Sequence, residues 1–255
     1  MKKYWYGVLA AVMLFVSCYE INEEIVINKD GTGTYVTKMD MSALIQMMQT
    51  MAGEEELSKS GLDRAIDTLV QLKSVMDTAK NVTEEERRLY ADGTLKLQLN
   101  IKENIFKSDI AFPFKSRGDL QRLMMGAGSS SMGAVFKKLF SPADSTGQDA
   151  PVQDQGLEQI NNIFDVVIDD HKISRQLNKQ KYDALMERPE IVQAKQMSAG
   201  GVEVLYTTTI KLPSKVKKTD NPIVKISEDK RSVTIRYDLL KLFESPEKFS
   251  YTIEY

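Results

Sequence analysis

A strict alternation of apolar and polar residues over residues 95–101 leaves few folds open to this chain. Successive side chains of a β-strand point to opposite faces of a sheet, so the pattern predicts a strand with one buried and one exposed face. Half-buried strands are typical of antiparallel sheets. The alternation recurs over residues 202–212 and 249–255, and we therefore expect several antiparallel strands. The apolar positions of the first segment are Leu95, Leu97, Leu99 and Ile101.

Tight-turn sequences between short β-rich segments predict hairpins. Asp30 and Gly31 form such a turn, because glycine readily adopts the positive φ that a tight hairpin needs. Residues 164–168 also alternate, and we expect that strand to extend through residues 173–177. The predicted hairpins pair residues 20–28 with 34–39, 82–90 with 94–102, and 222–227 with 232–238.

Apolar residues that recur every three or four positions predict helices between these strands. Interspersed helices and antiparallel hairpins together predict an α+β fold, in one large domain over residues 18–255. Residues 126–156 are rich in small and polar residues, which predicts a mobile insertion; a linker between two domains is the alternative. The predicted helices cover residues 41–52, 62–79, 119–125, 179–187 and 239–243.

The N-terminal segment predicts export. Two lysines precede an apolar run over residues 4–16, and Ser17 precedes Cys18, the single cysteine of the chain. A basic head, a short apolar core and a small residue before the cut are typical of a secretory signal peptide, and the run is too short to span a membrane. Because a cysteine follows the cut, residues 14–18 look like a bacterial lipobox, in which Cys18 receives the lipid anchor and becomes the N-terminus.

The alternative is an ordinary signal peptide that happens to end beside an unpaired cysteine, which is unusual in an oxidising compartment. The lipobox interpretation makes residues 1–17 the signal peptide and residues 18–255 the mature protein. Since Tyr19 rather than aspartate follows the cysteine, the usual sorting rule for lipoproteins predicts the outer membrane. The periplasmic side and the cell surface both stay open.

The charge balance restricts the possible partners. The chain has 34 basic and 36 acidic residues, and loss of Lys2 and Lys3 leaves a mature net charge of −4. This argues against a nucleic-acid partner, which requires a basic face. We expect a membrane contact through the lipid, and a lipid, a glycan or an envelope protein as a possible binding partner.

Residues with chemical potential are few. His171 is the only histidine and follows Asp169 and Asp170, but a metal site or a general base would need further groups converging on it. We therefore predict an exposed turn, no metal and no cofactor, and a non-catalytic protein. A hydrolase that uses dispersed carboxylates such as these two is the alternative function.

Two further segments invite a binding hypothesis. The lysines of residues 211–218 can contact anionic head groups or acidic glycans, although a solvated loop explains them as well. The methionine-rich face of residues 41–52 suits an adaptable groove, with an ordinary core helix as the alternative. Bound Cu(I) is a third reading of the methionines, with no cysteine or histidine nearby to support it.

One exposed-looking tripeptide, Asp144-Ser145-Thr146, resembles the O-glycosylation motif of Bacteroidetes-type organisms. It predicts a possible glycan on Ser145, with an unmodified polar segment as the alternative.

The order of these features resembles a known group of proteins. The predicted lipoprotein begins with a strand, the turn Asp30-Gly31-Thr32-Gly33 and a second strand, and it carries Leu212-Pro213 and Val233-Thr234-Ile235 late in the chain. This order is similar to that of uncharacterised Bacteroidetes-type lipoproteins, and more distantly to that of mycobacterial LppM-like lipoproteins. The resemblance spans most of the mature chain through turns and strands. It implies an envelope-associated, lipid-contacting module without known catalysis, and it assigns a role to Cys18 alone.

Overall fold

The computed structural model describes residues 18–52, 65–77, 82–126, 162–189, 191, 195 and 203–255. In these residues, two mostly antiparallel sheets and several short helices form an α+β fold, as the sequence predicts. The larger sheet has eight strands and the smaller has four.

The larger sheet combines strands from both halves of the chain. Its order is β10-β11-β8-β1-β2-β5-β4-β3, and β1 and β8 are parallel neighbours, whereas the other neighbours are antiparallel. Its strands are β1 (Cys18–Ile27), β2 (Gly33–Asp40), β3 (Ile66–Gln71), β4 (Thr94–Asn100), β5 (Ile105–Phe114), β8 (Glu203–Lys211), β10 (Val224–Ile226) and β11 (Ser232–Asp238).

The smaller sheet has the order β6-β7-β12-β9 and includes the last strand of the chain. That strand pairs with β7 on one side and β9 on the other. The strands are β6 (Phe164–Ile168), β7 (Lys172–Leu177), β9 (Lys218–Thr219) and β12 (Tyr251–Glu254).

Short helices connect the strands. The α-helices are α1 (Ser42–Ala52), α2 (Leu72–Met76), α3 (Glu84–Tyr90), α4 (Arg117–Met124) and α5 (Lys179–Met186). Asn178 caps α5 by accepting a hydrogen bond from the amide of Lys181, at 3.1 Å. Three 3₁₀-helices cover Ile101–Glu103, Leu239–Phe243 and Pro246–Phe249. The predictions of helices at residues 41–52, 119–125, 179–187 and 239–243 are confirmed in position.

The alternating residues form the core as predicted. Leu95, Leu97 and Leu99 on β4 are almost completely buried, while Lys96 between them is exposed. The inward residues of β1 follow the same rule, because Ile25 and Ile27 are buried and the flanking side chains are not. The side of the larger sheet that carries these residues therefore faces the core, and its other side faces solvent.

The turn between β1 and β2 depends on glycine at two positions. Gly31 adopts φ of 84°, and the side chain of Asp30 accepts a hydrogen bond from the amide of Thr32 at 3.0 Å. A Cβ atom on Gly33 would lie 1.8 Å from the carbonyl oxygen of Val26. The predicted hairpin is confirmed, with Gly33 itself as the first residue of β2.

The predicted helix over residues 62–79 is wrong where the structure describes it. Ile66–Gln71 forms β3, the edge strand of the larger sheet, and only Leu72–Met76 is helical. Ile66, Thr68 and Val70 alternate toward the core, and pairing with β4 satisfies this period-two pattern. Leu69, on the opposite face of β3, is 65% exposed.

The predicted strand over residues 82–90 is also wrong. Thr83 and Glu86 form a reciprocal capping box, in which the amide of Thr83 donates to the Glu86 carboxylate at 2.8 Å and the amide of Glu86 donates to the Thr83 hydroxyl at 3.2 Å. Acidic residues fill the first turn of α3 and two arginines the last, which favours a helix through its dipole. Strand β4 pairs instead with β3 and β5.

Residues 164–168 and 173–177 do not form one extended strand. They pair with each other as β6 and β7, and residues 169–171 form the turn between them. Residues 127–161, which include most of the predicted insertion and Ser145, lie outside the described residues.

Candidate functional site

A buried carboxylate lies at the centre of the larger sheet. Glu23 on β1 points inward and is only 8% exposed. Its Oε1 accepts hydrogen bonds from the hydroxyls of Tyr35 on β2 and Tyr206 on β8, and its Oε2 accepts one from the hydroxyl of Thr208 at 2.9 Å. Three hydroxyl donors from the strands on either side thus replace the water that this carboxylate loses on burial.

A buried cation faces the same region from the smaller sheet. Arg175 on β7 is 5% exposed, and its guanidinium carbon lies 3.5 Å from the centre of the Phe164 ring. Its Nη1 donates to the carbonyl oxygen of Phe249 at 3.3 Å. Burial opposes the charge on Arg175, but the nearby tyrosine hydroxyls and Glu23 outweigh burial and raise the pKa of Arg175.

Aromatic side chains pack around these two charges. The rings of Tyr206 and Tyr237 stack at 5.4 Å, and Tyr237 lies 4.6 Å from Phe249. Burial, followed by the negative charge of Glu23, holds the pKa values of Tyr35 and Tyr206 well above their usual range. These phenols therefore stay protonated and keep donating to Glu23 over the whole neutral range.

The charged groups enclose a cavity of about 20 Å³ between the two sheets. This volume accommodates about one water molecule. Both charged residues and tyrosines of both sheets line it, so it can hold one water between the sheets. The lining residues are Glu23, Met124, Arg175, Tyr206, Thr208, Ile235, Tyr237 and Tyr251.

The sequence predictions did not include this cluster, although the sequence contains a signal for it. Glu23 occupies an inward position in the alternation of Ile21, Ile25 and Ile27, and Arg175 does so in β7. A charge at an inward position of an alternating strand has to be paired or hydrogen-bonded. The two residues are about 150 positions apart in the chain, so the sequence does not indicate that they meet.

Cys18, the predicted lipid attachment site, is the first residue of β1. Its backbone pairs with Glu203 on β8, so the predicted N-terminal residue of the mature chain belongs to the sheet. The next residue, Tyr19, is 7% exposed, and burial raises the pKa of its phenol. The hydroxyl of Tyr19 has no hydrogen-bond partner among the described residues.

The candidate hydrolytic residues lie in the turn between β6 and β7. Asp169, Asp170 and His171 are exposed there, as the turn prediction requires. Asp170 pairs with Arg117 on α4 at 2.9 Å, and the backbone oxygen of Asp169 accepts from the hydroxyl of Tyr255 at 3.1 Å. Both contacts fix the turn against its neighbours, and neither carboxylate belongs to the buried cluster.

The lysines of residues 211–218 have different contacts. Lys211 pairs with Glu24 on the solvent face of the sheet. The amino group of Lys217 donates to the backbone oxygen of Tyr255 at 3.0 Å. Lys215 and Lys218 are exposed.

The methionine-rich segment forms α1 as predicted. Ile45 is buried, and Gln49 donates to the carbonyl oxygen of Ile101 at 2.7 Å. The side chains of Met47, Met48 and Met51 lie outside the described part of the structure.

The described residues contain no group of three or more histidine, cysteine, aspartate or glutamate side chains placed to hold a metal ion. Among the same residues, we find no helix with the length and apolar character needed to cross a membrane.

Comparison with known proteins gives one distant likeness. No family model matches the chain, and no curated protein matches it. The structure is similar to the NMR structure of the folded domain of the Mycobacterium tuberculosis LppM protein, with a TM-score of 0.33 and 8% sequence identity. The similarity covers 92% of this chain and 88% of that one.

Proposed function

We propose that this protein is a lipid-anchored lipoprotein of the outer membrane, and that its folded domain is a non-catalytic binding or structural module. The observation that carries the proposal is the position of Cys18. It closes the apolar export signal of the sequence, and its own backbone is already paired with Glu203 in the larger sheet. A signal that is removed at Cys18 leaves every strand of the described fold intact.

The fold also fits an anchor at this position. β1 lies between β2 and β8 in the larger sheet, and Tyr19 is already part of the core. With almost no free chain between the lipid and the sheet, the domain stays within a few residues of the membrane surface. The strand β1 then runs away from the membrane.

The buried cluster supports a structural role for the charged residues of the interior. Glu23 directs its carboxylate at three hydroxyls of its own sheet, and Arg175 contacts a ring and a carbonyl of the domain. The cavity between them has room for about one water molecule. A lipid, glycan or protein partner therefore binds at the surface in this proposal.

Substitution of the cysteine tests the anchor. We expect Cys18→Ala to move the protein from the membrane fraction to the soluble fraction, while a Lys215→Ala control stays with the membrane. Circular dichroism of both variants shows whether the fold is retained. Membrane retention of Cys18→Ala, together with an unmodified thiol in the wild type, would contradict the proposal.

A second experiment addresses the partner. Mass spectrometry of molecules that co-purify with the wild-type protein from its host membrane identifies a bound lipid, glycan or protein. Protease treatment of intact cells then distinguishes a surface orientation, in which the domain is digested, from a periplasmic one.

A further inference from the structure

The solvent face of the larger sheet carries an ordered set of charges. Tyr35 on β2 and Phe112 on β5 are buried on the inward face, so the alternate residues of each strand point outward. Lys38 and Asp40 on β2 and Lys107 and Asp109 on β5 occupy this face; we call these four residues the charge quartet. β2 and β5 are fifth and sixth in the eight-stranded order, close to the middle of the face.

The signs alternate around the quartet. Lys38 lies directly opposite Asp109, and Asp40 lies directly opposite Lys107, in the register of the two strands. The amino group of Lys107 is 3.1 Å from the carboxylate of Asp40, and both side chains are about half exposed. Within one chain, these pairs stabilise the sheet modestly, as exposed cross-strand pairs do.

The charge quartet is also complementary to a second copy of itself. We place the second copy by a rotation of 180° about an axis that lies in the interface, parallel to the strands and midway between β2 and β5. In this arrangement, β2 of one copy faces β5 of the other. Each lysine of the quartet then faces an aspartate. A two-fold interface requires this self-complementarity, because the same patch is used by both subunits.

We propose that two copies of this chain pack through their solvent-facing sheets, with the charge quartet at the two-fold axis. Lys38 lies opposite the partner's Asp109, and Asp40 lies opposite the partner's Lys107. Charges placed in this way fix the register of the interface and disfavour other partners. Packed sheets are rotated relative to each other by about 30°, which displaces residues near the axis least.

The direction of the axis rests on the proposed function. Two copies anchored in one membrane leaflet need an axis along the membrane normal, so that both Cys18 residues lie at the same end. An axis parallel to the strands meets this condition, since β1 runs away from the membrane in both copies. An axis across the strands would place the anchors at opposite ends, about 27 Å apart over the eight steps from Cys18 to Val26.

The residues beside the quartet allow close approach. Val36 and Ala111 form the next outward pair, followed by Thr34 and Pro113. These side chains are small or compact, and in the proposed dimer Val36 lies opposite the partner's Ala111. About this axis, β8, β1 and β2 face β3, β4 and β5 of the second copy, so six strands of each copy overlap. Five strand spacings of about 4.8 Å and strands about 24 Å long give an overlap of roughly 600 Å² on each copy. The total of about 1,200 Å² lies at the lower end of the range for stable protein interfaces.

Charge reversal in two sets tests the pairing. The acidic variant carries Lys38→Glu and Lys107→Glu, and the basic variant carries Asp40→Lys and Asp109→Lys. Differently tagged copies of the full-length protein are co-expressed and extracted in detergent, and the amount that co-purifies is measured. We expect each variant to co-purify with itself about tenfold less than the wild type does, and the acidic variant to recover wild-type co-purification with the basic one.

The matched control reverses two lysines elsewhere. Lys172 and Lys248 are exposed outside the larger sheet. The variant Lys172→Glu, Lys248→Glu has the same change in net charge as the acidic variant and should self-associate like the wild type. Thermal unfolding of all variants separates loss of pairing from loss of the fold, and recovery on mixing requires that both sets remain folded.

Cysteine cross-linking tests the geometry without altering the quartet. Copies with Val36→Cys and copies with Ala111→Cys should be joined to each other when they are co-expressed and treated in the membrane with a short bismaleimide cross-linker. Packed sheets lie about 10 Å apart, which such a linker spans and a direct disulfide does not. Neither substitution can form this cross-link within one chain, because each chain carries only one of them. Val167→Cys, on the exposed side of the smaller sheet, replaces Val36→Cys in the control and should not cross-link to Ala111→Cys.

The proposal is overturned if the wild type does not co-purify with itself, or if the acidic variant self-associates as well as the wild type. Co-purification of a different protein in place of a second copy would also overturn it. The anchor is scored separately by the membrane release of Cys18→Ala. If the Cys18 thiol is free but the acidic and basic variants still pair, the proposed function and the stated axis direction are contradicted. The dimer itself is then retained.

Discussion

Truncation of the buried carboxylate should destabilise the fold strongly. Glu23→Ala removes the acceptor of three buried hydroxyl groups and one of the two charges that face the cavity between the sheets. Each buried polar group left unsatisfied costs about 1–3 kcal/mol. The terms are not additive because water can enter the enlarged cavity, so we expect a loss of about 3–5 kcal/mol in the free energy of unfolding.

Two comparison variants isolate the cause. Glu23→Gln keeps the size and an acceptor oxygen, and we expect it to cost about 1–2 kcal/mol. Glu24→Ala removes the neighbouring carboxylate, which pairs with Lys211 on the solvent face, and should cost less than about 1 kcal/mol. The two glutamates differ in burial rather than in position along β1.

Urea unfolding at neutral pH, followed by far-UV circular dichroism, measures these differences. The only tryptophan is Trp5, in the predicted signal segment, so tryptophan fluorescence does not report on the mature fold. In the Glu23→Ala background, Tyr206→Phe should cost less than in the wild type, because its hydroxyl has already lost this acceptor. A Glu23→Ala loss below about 1 kcal/mol, or equal losses for alanine and glutamine, would refute the reasoning.

Three further predictions concern other parts of the fold. The pKa values of Tyr35 and Tyr206, the tyrosines that donate to Glu23, are raised in the folded protein. This shift stabilises the fold fully below about pH 10, the pKa of an unfolded tyrosine, and less as the pH rises further. Alkaline titration should therefore show ionisation of these phenols together with unfolding, and their ionisation in protein that is still folded would contradict this. Gly33→Ala should destabilise the fold by more than about 2 kcal/mol in urea unfolding, since its Cβ would meet the carbonyl oxygen of Val26, and an unchanged midpoint would show that the turn relaxes. Thr83→Ala should cost about 1 kcal/mol through loss of the cap shared with Glu86, measured by the same assay with Thr94→Ala as the control.

The period-two strands were the part of the fold that sequence reasoning predicted best. β4 and β8 each carry an uninterrupted alternation, and both are half buried in the structure. Alternation of this kind specifies local geometry and burial together, so no information about distant residues is needed.

The errors arise where short segments are compatible with both periods. Residues 66–70 contain Ile66 and Val70, which fit a helical stripe at spacing four and a strand at spacing two. Pairing with β4 decides for the strand, and that pairing is a long-range contact. The capping box of Thr83 and Glu86, in contrast, was a local signal that outweighs the β-branched residues before it.

The candidate site was harder to predict than the fold. Glu23 and Arg175 belong to different sheets, and the donors to Glu23 come from β2 and β8. The alternation places each charge inward, but only the sheet order brings them to one cavity. The charge quartet has the same origin, because the register of β2 and β5 determines which charges face each other.

Intact-mass and peptide mass spectrometry of the protein from its native membrane tests the lipid anchor directly. We expect an N-terminal peptide that begins at Cys18 and carries a thioether-linked diacylglyceryl group. A mature N-terminus at another residue, or a peptide in which Cys18 has a free thiol, would contradict it.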